Sequence, residues 1–139
     1  MDSVRYVGMD VHKETIDCAV MDGLTPETRF EKRLGNEHRA IRRFFDRLLS
    51  EGPVVAGYEA GCLGFKLHRE LTAMGVQCVV IAPSRIARAP GERGKTDRRD
   101  ARMLAKLLRK GEAQAVHIPE PYDEAVRDYL RARTDLKLE

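Results

Sequence analysis

The chain has no tryptophan, only 6% aromatic residues and three cysteines among 139 residues. Cys18, Cys62 and Cys78 stand far apart, with no C-x-x-C pair and no Cys–His cluster. That argues against a disulfide framework or a structural zinc site and fits a reducing compartment. Met1–Tyr6 lacks the apolar core of a signal peptide, and no apolar run approaches the roughly 18 residues a membrane helix needs. A cytoplasmic protein without a membrane partner is therefore expected. Repeats and low-complexity tracts are also missing. What is present, 42% hydrophobic and 34% charged residues in 15.8 kDa, suffices for one core and excludes a disordered chain.

The net charge of +3 hides an asymmetry. Between Arg85 and Lys110 stand ten basic and three acidic residues, a balance of +7, whereas the remainder carries −4. A run of this kind can be a solvated helix face. Arginine outnumbers lysine here by seven to three, however, and the guanidinium fork suits phosphate oxygens. Concentrated positive charge is the electrostatic footprint of a nucleic-acid partner. Arg85, Arg88, Arg93 and Lys95 are assigned to the phosphate backbone, where contacts bind without reading sequence.

Hydrophobic spacing predicts strands at Val4–Asp10 and Thr15–Met21, joined as a hairpin, and a half-exposed third strand from Thr28 to Leu34. Asn36 suits a helix N-cap, and Ile41, Phe44, Phe45, Leu48 and Leu49 mark that helix as far as Gly52-Pro53. A short strand Val54–Glu59 follows, then a helix through Leu63, Leu67, Leu71 and Met74, closed by Gly75. Val76–Ala82 reads as a buried parallel strand. Ser84–Lys95 reads as a basic loop, Asp97 to Lys110 as a helix with Ala101, Leu104, Ala105 and Leu108 on one face, and Gln114–Ile118 as a short edge strand or link. A last helix starts at Pro121 and ends in mid-pattern, which suggests that the chain is the front part of a longer protein. The order predicts an α/β fold with a mixed sheet, antiparallel hairpin strands plus parallel strands flanked by helices. The ribonuclease H-like fold has this order, and other α/β folds can share the string.

Four acids fall where such folds present chemistry. Asp10 ends the first strand in phase with Val4, Tyr6 and Gly8, and Glu59 ends the fourth. Asp97 and Asp100, three apart, are helical neighbours that lead a core-facing stripe, with Cβ atoms roughly 5–6 Å apart. If the four converge, repulsion must be answered, since two unit charges at 4 Å cost about 4 kcal/mol at an effective dielectric near 20. Hard oxygen donors with no cysteine or histidine at ligand spacing select Mg²⁺ or Mn²⁺. The same residues also fit plainer roles. Asp10 can begin a turn, Glu59 can face solvent, and Asp97 and Asp100 can cap a helix or sit in its first turn. Lys13 suits a phosphate, a carboxylate or a plain turn. Asp17, alternating with Ile16 and Cys18, is read as solvated, and His12, His38, His68 and His117 as structural or surface residues.

Gly8-Met9-Asp10-Val11-His12-Lys13, Glu59-Ala60-Gly61, Ala82-Pro83 and Lys95-Thr96-Asp97-Arg98-Arg99-Asp100-Ala101 together resemble the DEDD insertion-sequence transposases related to the Piv/MooV DNA invertases. The likeness runs from Tyr6 into the last helix. It implies a RuvC-like, ribonuclease H-like catalytic domain over residues 1–118, with residues 119–139 opening a helical, coiled-coil segment. By position, Asp10, Glu59, Asp97 and Asp100 become the catalytic, metal-holding acids, served by Mg²⁺ or Mn²⁺. Lys13, Arg85, Arg88, Arg93, Lys95, Arg98 and Arg99 become the nucleic-acid contacts. The resemblance further implies DNA partners (element ends and target), a guide RNA, nucleoid association, a homo-oligomer in the full-length protein, and a C-terminal domain bearing a serine. Ser3, Ser50 and Ser84 are not that serine, so these 139 residues alone are expected to be inactive. Cys62-Leu63-Gly64-Phe65 departs from the Thr-Gly-aromatic run of many relatives. Two other functions remain open on the residues: a self-contained RuvC-like nuclease, and a non-catalytic nucleic-acid-binding module.

Overall fold

The structure, a computed structural model, describes residues 3–61, 63–83 and 99–119. Along the chain run β1 (Arg5–Val11), β2 (Thr15–Asp22), β3 (Thr28–Gly35), α1 (His38–Glu51), β4 (Val54–Glu59), α2 (Lys66–Met74), β5 (Gln77–Ile81) and α3 (Ala101–Lys110). The strands form a five-stranded sheet in the order β3-β2-β1-β4-β5. The pairs β1/β2 and β2/β3 are antiparallel, whereas β1/β4 and β4/β5 are parallel. Strand order and direction are those of the ribonuclease H-like fold, as the element pattern predicts.

The two faces of the sheet are covered differently. Val7, Met9 and Val11 point to the side of α1 and α2, where Ile41, Phe44, Phe45, Leu48 and Leu71 complete the main core. The α1 residues recur at helical spacing, so their burial follows from the period alone. Phe45 is fully buried and meets Phe44 edge-on at 5.1 Å. Each such side chain contributes roughly 1.5–3 kcal/mol on leaving water. Burial also pushes the thiols of Cys18 and Cys78 up to about 12, which leaves them protonated and inert at neutral pH.

On the opposite face lies α3, whose buried residues are Ala101, Leu104, Ala105 and Leu108. It rests on a strip with almost no side chains: Gly8 pairs with Ala19 of β2 on one side and Gly57 of β4 on the other. A Cβ on Gly8 would stand 2.1 Å from the Ala101 carbonyl oxygen and 2.4 Å from the Ala105 nitrogen. The helix backbone is thus in direct contact with the strand. A Cβ on Gly57 would instead meet the side-chain ends of Leu108 and Ile81 at 3.0 Å.

Several local expectations are corrected. Asn36 does not cap α1; its Nδ2 donates to the His12 carbonyl (2.8 Å), its amide donates to the Glu14 carbonyl (2.8 Å), and Glu37 takes the cap position without a side-chain bond. A tertiary bond to the β1–β2 turn outweighs the local capping preference. Leu63 precedes α2 and is exposed. Helix α3 begins at Ala101 with Asp100 as its N-cap, so Asp100 stands ahead of the helix rather than within it, and Asp97 lies outside the described residues. The predicted link after α3 is one antiparallel bridge, Ile81 to Ala115. The predicted basic loop Ser84–Lys95 and the last helix from Pro121 lie outside the described residues.

Two outcomes follow. Gly8→Ala should cost about 3 kcal/mol or more in urea denaturation, because a backbone must move, and Gly57→Ala nearer to 1 kcal/mol, because side-chain ends can yield; equal losses would contradict the seating of α3. Peptide mapping after iodoacetamide treatment of the folded protein at pH 7 should find Cys18 and Cys78 unlabelled.

Candidate metal and nucleic-acid site

In β1, Tyr6, Gly8 and Asp10 share the phase that faces α3, and the hairpin register sets Asp17 directly opposite Asp10. The chain turns after Val11, and the His12 amide donates to the Thr15 carbonyl at 2.8 Å. His12 thereby folds back, with Nε2 3.1 Å from Asp10 Oδ2 and 3.7 Å from Asp17 Oδ2. Asp10, His12 and Asp17 each offer a donor atom within 4.8 Å of the others. The Arg33 side chain, from β3, donates through Nε to Asp17 Oδ1 at 2.7 Å. This bond holds the Asp17 carboxyl below its ordinary value, against the opposing effect of desolvation. Lys13 sits exposed in the turn that Asn36 braces.

Asp100 reaches the same place from the far end of the described chain. Its Oδ1 accepts from the Met103 amide at 2.8 Å, which satisfies one of the orphan donors of the first helical turn. Because α3 lies directly on Gly8, that turn is brought to the Asp10 end of β1. Asp10, Asp17 and Asp100 line a common cleft of about 510 Å³, with Glu31, Lys32, Arg33 and Arg102 on its walls. One wall is closed by Arg102, which grips Glu31 through two bonds of 2.6 and 2.8 Å. The Arg102 bond lowers the Glu31 carboxyl from its ordinary 4.5.

Glu59 ends β4 on the same face, since Gly57, two residues earlier, pairs with Gly8. Its Oε1 accepts from the Arg99 amide (3.1 Å) and Arg99 Nε (2.8 Å), and Arg99 Nη2 donates to the Ala82 carbonyl (2.6 Å). The structure thus brings Asp10 and Asp100 into one cleft and joins Glu59 to the residue before Asp100. Asp97, Arg85, Arg88, Arg93, Lys95 and Arg98 lie outside the described residues.

Sequence reasoning missed two residues of this site. Asp17 is half-buried and paired rather than solvated, and His12 stands among the acids rather than apart from them. The available signal was the hairpin register, which sets a residue of β2 opposite Asp10. Carboxylate oxygens with one imidazole are donors that a hard divalent cation such as Mg²⁺ or Mn²⁺ accepts, so the residues present fit such an ion.

The protein is thus a ribonuclease H-like domain with an acidic cleft at the ends of its central strands. Residues 7–139 match the model of the DEDD transposases of the IS110 type, described as transposase, and the chain belongs to this family. It is 41% identical over 136 residues to the transposase for insertion sequence element IS1533 of Leptospira borgpetersenii, covering 96% of this chain and 39% of that protein. Over 131 residues it is 43% identical to a Sinorhizobium fredii protein named as a transposase, y4qE, covering 93% of this chain and 34% of that one. The chain therefore spans between a third and two fifths of the length of these relatives. Among solved structures, the large terminase nuclease of the thermophilic phage G20c superposes with a TM-score of 0.44 and 20% identity, over 58% of this chain and 45% of that one.

The Glu31–Arg102 pair has a pH signature. A lowered carboxyl contributes stability above its ordinary value of 4.5, and the contribution is lost as pH falls through the lowered folded-state value. Arg102→Ala should return the Glu31 carboxyl to the ordinary range in a carbon-13 NMR titration, with only a small change in stability because both groups are exposed. An unmoved titration would show that the pair is not formed in solution.

Proposed function

We propose that this domain is the metal-dependent catalytic part of a transposase that cuts DNA phosphodiesters at the ends of its element. Asp10, Glu59, Asp97 and Asp100 are the acids that hold Mg²⁺ or Mn²⁺, and Lys13, Arg85, Arg88, Arg93, Lys95 and Arg98 contact the nucleic-acid backbone. The observation that carries this reading is the meeting of Asp10 and Asp100, remote in sequence, in one cleft. Family membership and the named activity of the relatives support it. When bound, a divalent ion neutralises developing charge on phosphoryl oxygens and favours ionisation of the attacking group. The chain's own residues do the positioning. Asp10 projects from the rigid central strand, Asp100 is held by its cap bond, and Arg33 and Arg102 fix the surrounding carboxylates.

The finer parts of the proposal rest on the family resemblance, and the further domain also on the relatives' greater length. The full protein continues through a coiled coil into a serine-bearing domain, assembles as a homo-oligomer, acts at the nucleoid and takes a guide RNA to element end and target. The 139 residues alone bind metal and nucleic acid without cutting.

Calorimetric titration with MnCl₂, paired with thermal melts, tests the central claim. Ion at a hundredfold excess over its dissociation constant should stabilise the wild type by about 2.7 kcal/mol. Asp10→Asn and Asp100→Asn should lose most of that gain. Equal behaviour of wild type and variants at millimolar ion would sink the metal reading, and robust cutting of branched DNA by these residues alone would refute the need for a further domain.

A further inference from the structure

We infer that Arg99 is a positioning residue for Glu59 and the α3 N-terminus, with its fork turned away from nucleic acid; this rests on the metal-dependent reading above. Its backbone amide and Nε converge on Glu59 Oε1, and its Nη2 reaches the Ala82 carbonyl. Three segments are thereby tied at one residue: the end of β4, the first residue after β5, and the residue adjoining the Asp100 cap. The side chains of Arg99 and Glu59 are only 18% and 9% exposed, whereas Arg102 on the cleft wall is 60% exposed. A phosphate contact needs an outward guanidinium, and this one points inward.

The arrangement uses the shape of the guanidinium as well as its charge. Two separate nitrogens, Nε and Nη2, address two acceptors, one at the end of β4 and one just past the end of β5. A lysine ammonium is a single point and cannot hold both in this geometry. Both bonds to Glu59 fall on Oε1; among the described residues no hydrogen bond reaches Oε2, the oxygen that remains for a cation. Arg99 thus fixes the direction of a carboxylate whose other oxygen stays available, the task usually performed by groups behind the ligands of a metal site.

This role predicts a sign that charge alone does not. Removing a cation near a dication site favours ion binding by Coulomb's law. Freeing Glu59 to sample its rotamers disfavours binding, because the ion must then order the side chain. If Arg99 positions Glu59, Arg99→Met weakens Mn²⁺ binding despite the loss of positive charge.

The test uses the whole 139-residue chain in two arms. In metal-free buffer, the amides of Ala60 and Met103, which bond to the Ile81 carbonyl and the Asp100 carboxylate, are followed by hydrogen exchange. Both should exchange about tenfold faster in Arg99→Lys and Arg99→Met, while remote α1 amides stay as in the wild type. In the second arm, MnCl₂ is titrated calorimetrically. Both variants should bind about tenfold more weakly, and Arg99→Met combined with Glu59→Gln should bind no more weakly than Glu59→Gln alone. Should the methionine variant fail to fold, the lysine variant decides. Unchanged exchange, unchanged or tighter Mn²⁺ binding, or full retention by lysine would overturn the inference. So would weaker DNA binding with a shallower salt dependence and intact Mn²⁺ affinity, which would return Arg99 to the phosphate backbone. If wild type and Asp10→Asn alike bind no Mn²⁺, the metal reading falls by itself, and the exchange arm still judges the clamp.

Discussion

The direct seating of α3 on β1 is the contact on which the rest of the site depends. At Gly8 the helix backbone lies where any side chain would stand, and at Gly57 the ends of Leu108 and Ile81 fill the corresponding space. Helices ordinarily meet sheets through layers of side chains, and here one layer is removed. The gain is precision rather than area. A helix fixed backbone to backbone has little freedom to slide, so its first turn, and Asp100 with it, is held at the Asp10 end of the central strand. Gly8 and Asp10 are two residues apart in one phase. The residue that admits the helix and the residue that faces its N-terminus are therefore positioned by the same strand.

Around that contact, acids and guanidinium groups alternate. Arg33 holds Asp17, Arg102 holds Glu31, and Arg99 holds Glu59. The first two pairs are exposed enough that each adds little to stability. Their effect is on orientation, because each leaves the central cleft lined by carboxylates that are already directed. Part of the basic surplus between Arg85 and Lys110 thus answers repulsion within the protein. The near-neutral total charge of +3 averages over acids on β1, β2, β3 and β4 and the bases that meet them.

Much of the fold was legible along the chain. The hairpin, the position of the third strand, the stripe Ile41, Phe44, Phe45 and Leu48, and the stripe Ala101, Leu104, Ala105 and Leu108 all stand where the pattern places them, although β3 is exposed from Arg29 to Arg33 rather than on one face alone. Three misreadings share one cause. Asn36 has the right chemistry for a cap, yet a carbonyl in the β1–β2 turn competes for it. Asp17 has the alternation of a solvated strand residue, yet its register partner is Asp10. His12 has no ligand spacing in sequence, yet the tight turn folds it back onto both acids. Each was judged by near neighbours and decided by distant ones.

By itself, the sequence determined the elements, their order, the two-sided burial of the sheet and the candidacy of Asp10, Glu59 and Asp100. Periodicity and turn chemistry are local properties, and a single chain displays them. Only the tertiary structure decided that Asp10 and Asp100 share a cleft, that His12 and Asp17 belong beside them, and that Arg99 turns inward to Glu59. Those outcomes depend on strand register and on how closely α3 can approach Gly8 and Gly57. A glycine in the sequence shows that a side chain is absent; the packed structure shows which backbone occupies its place.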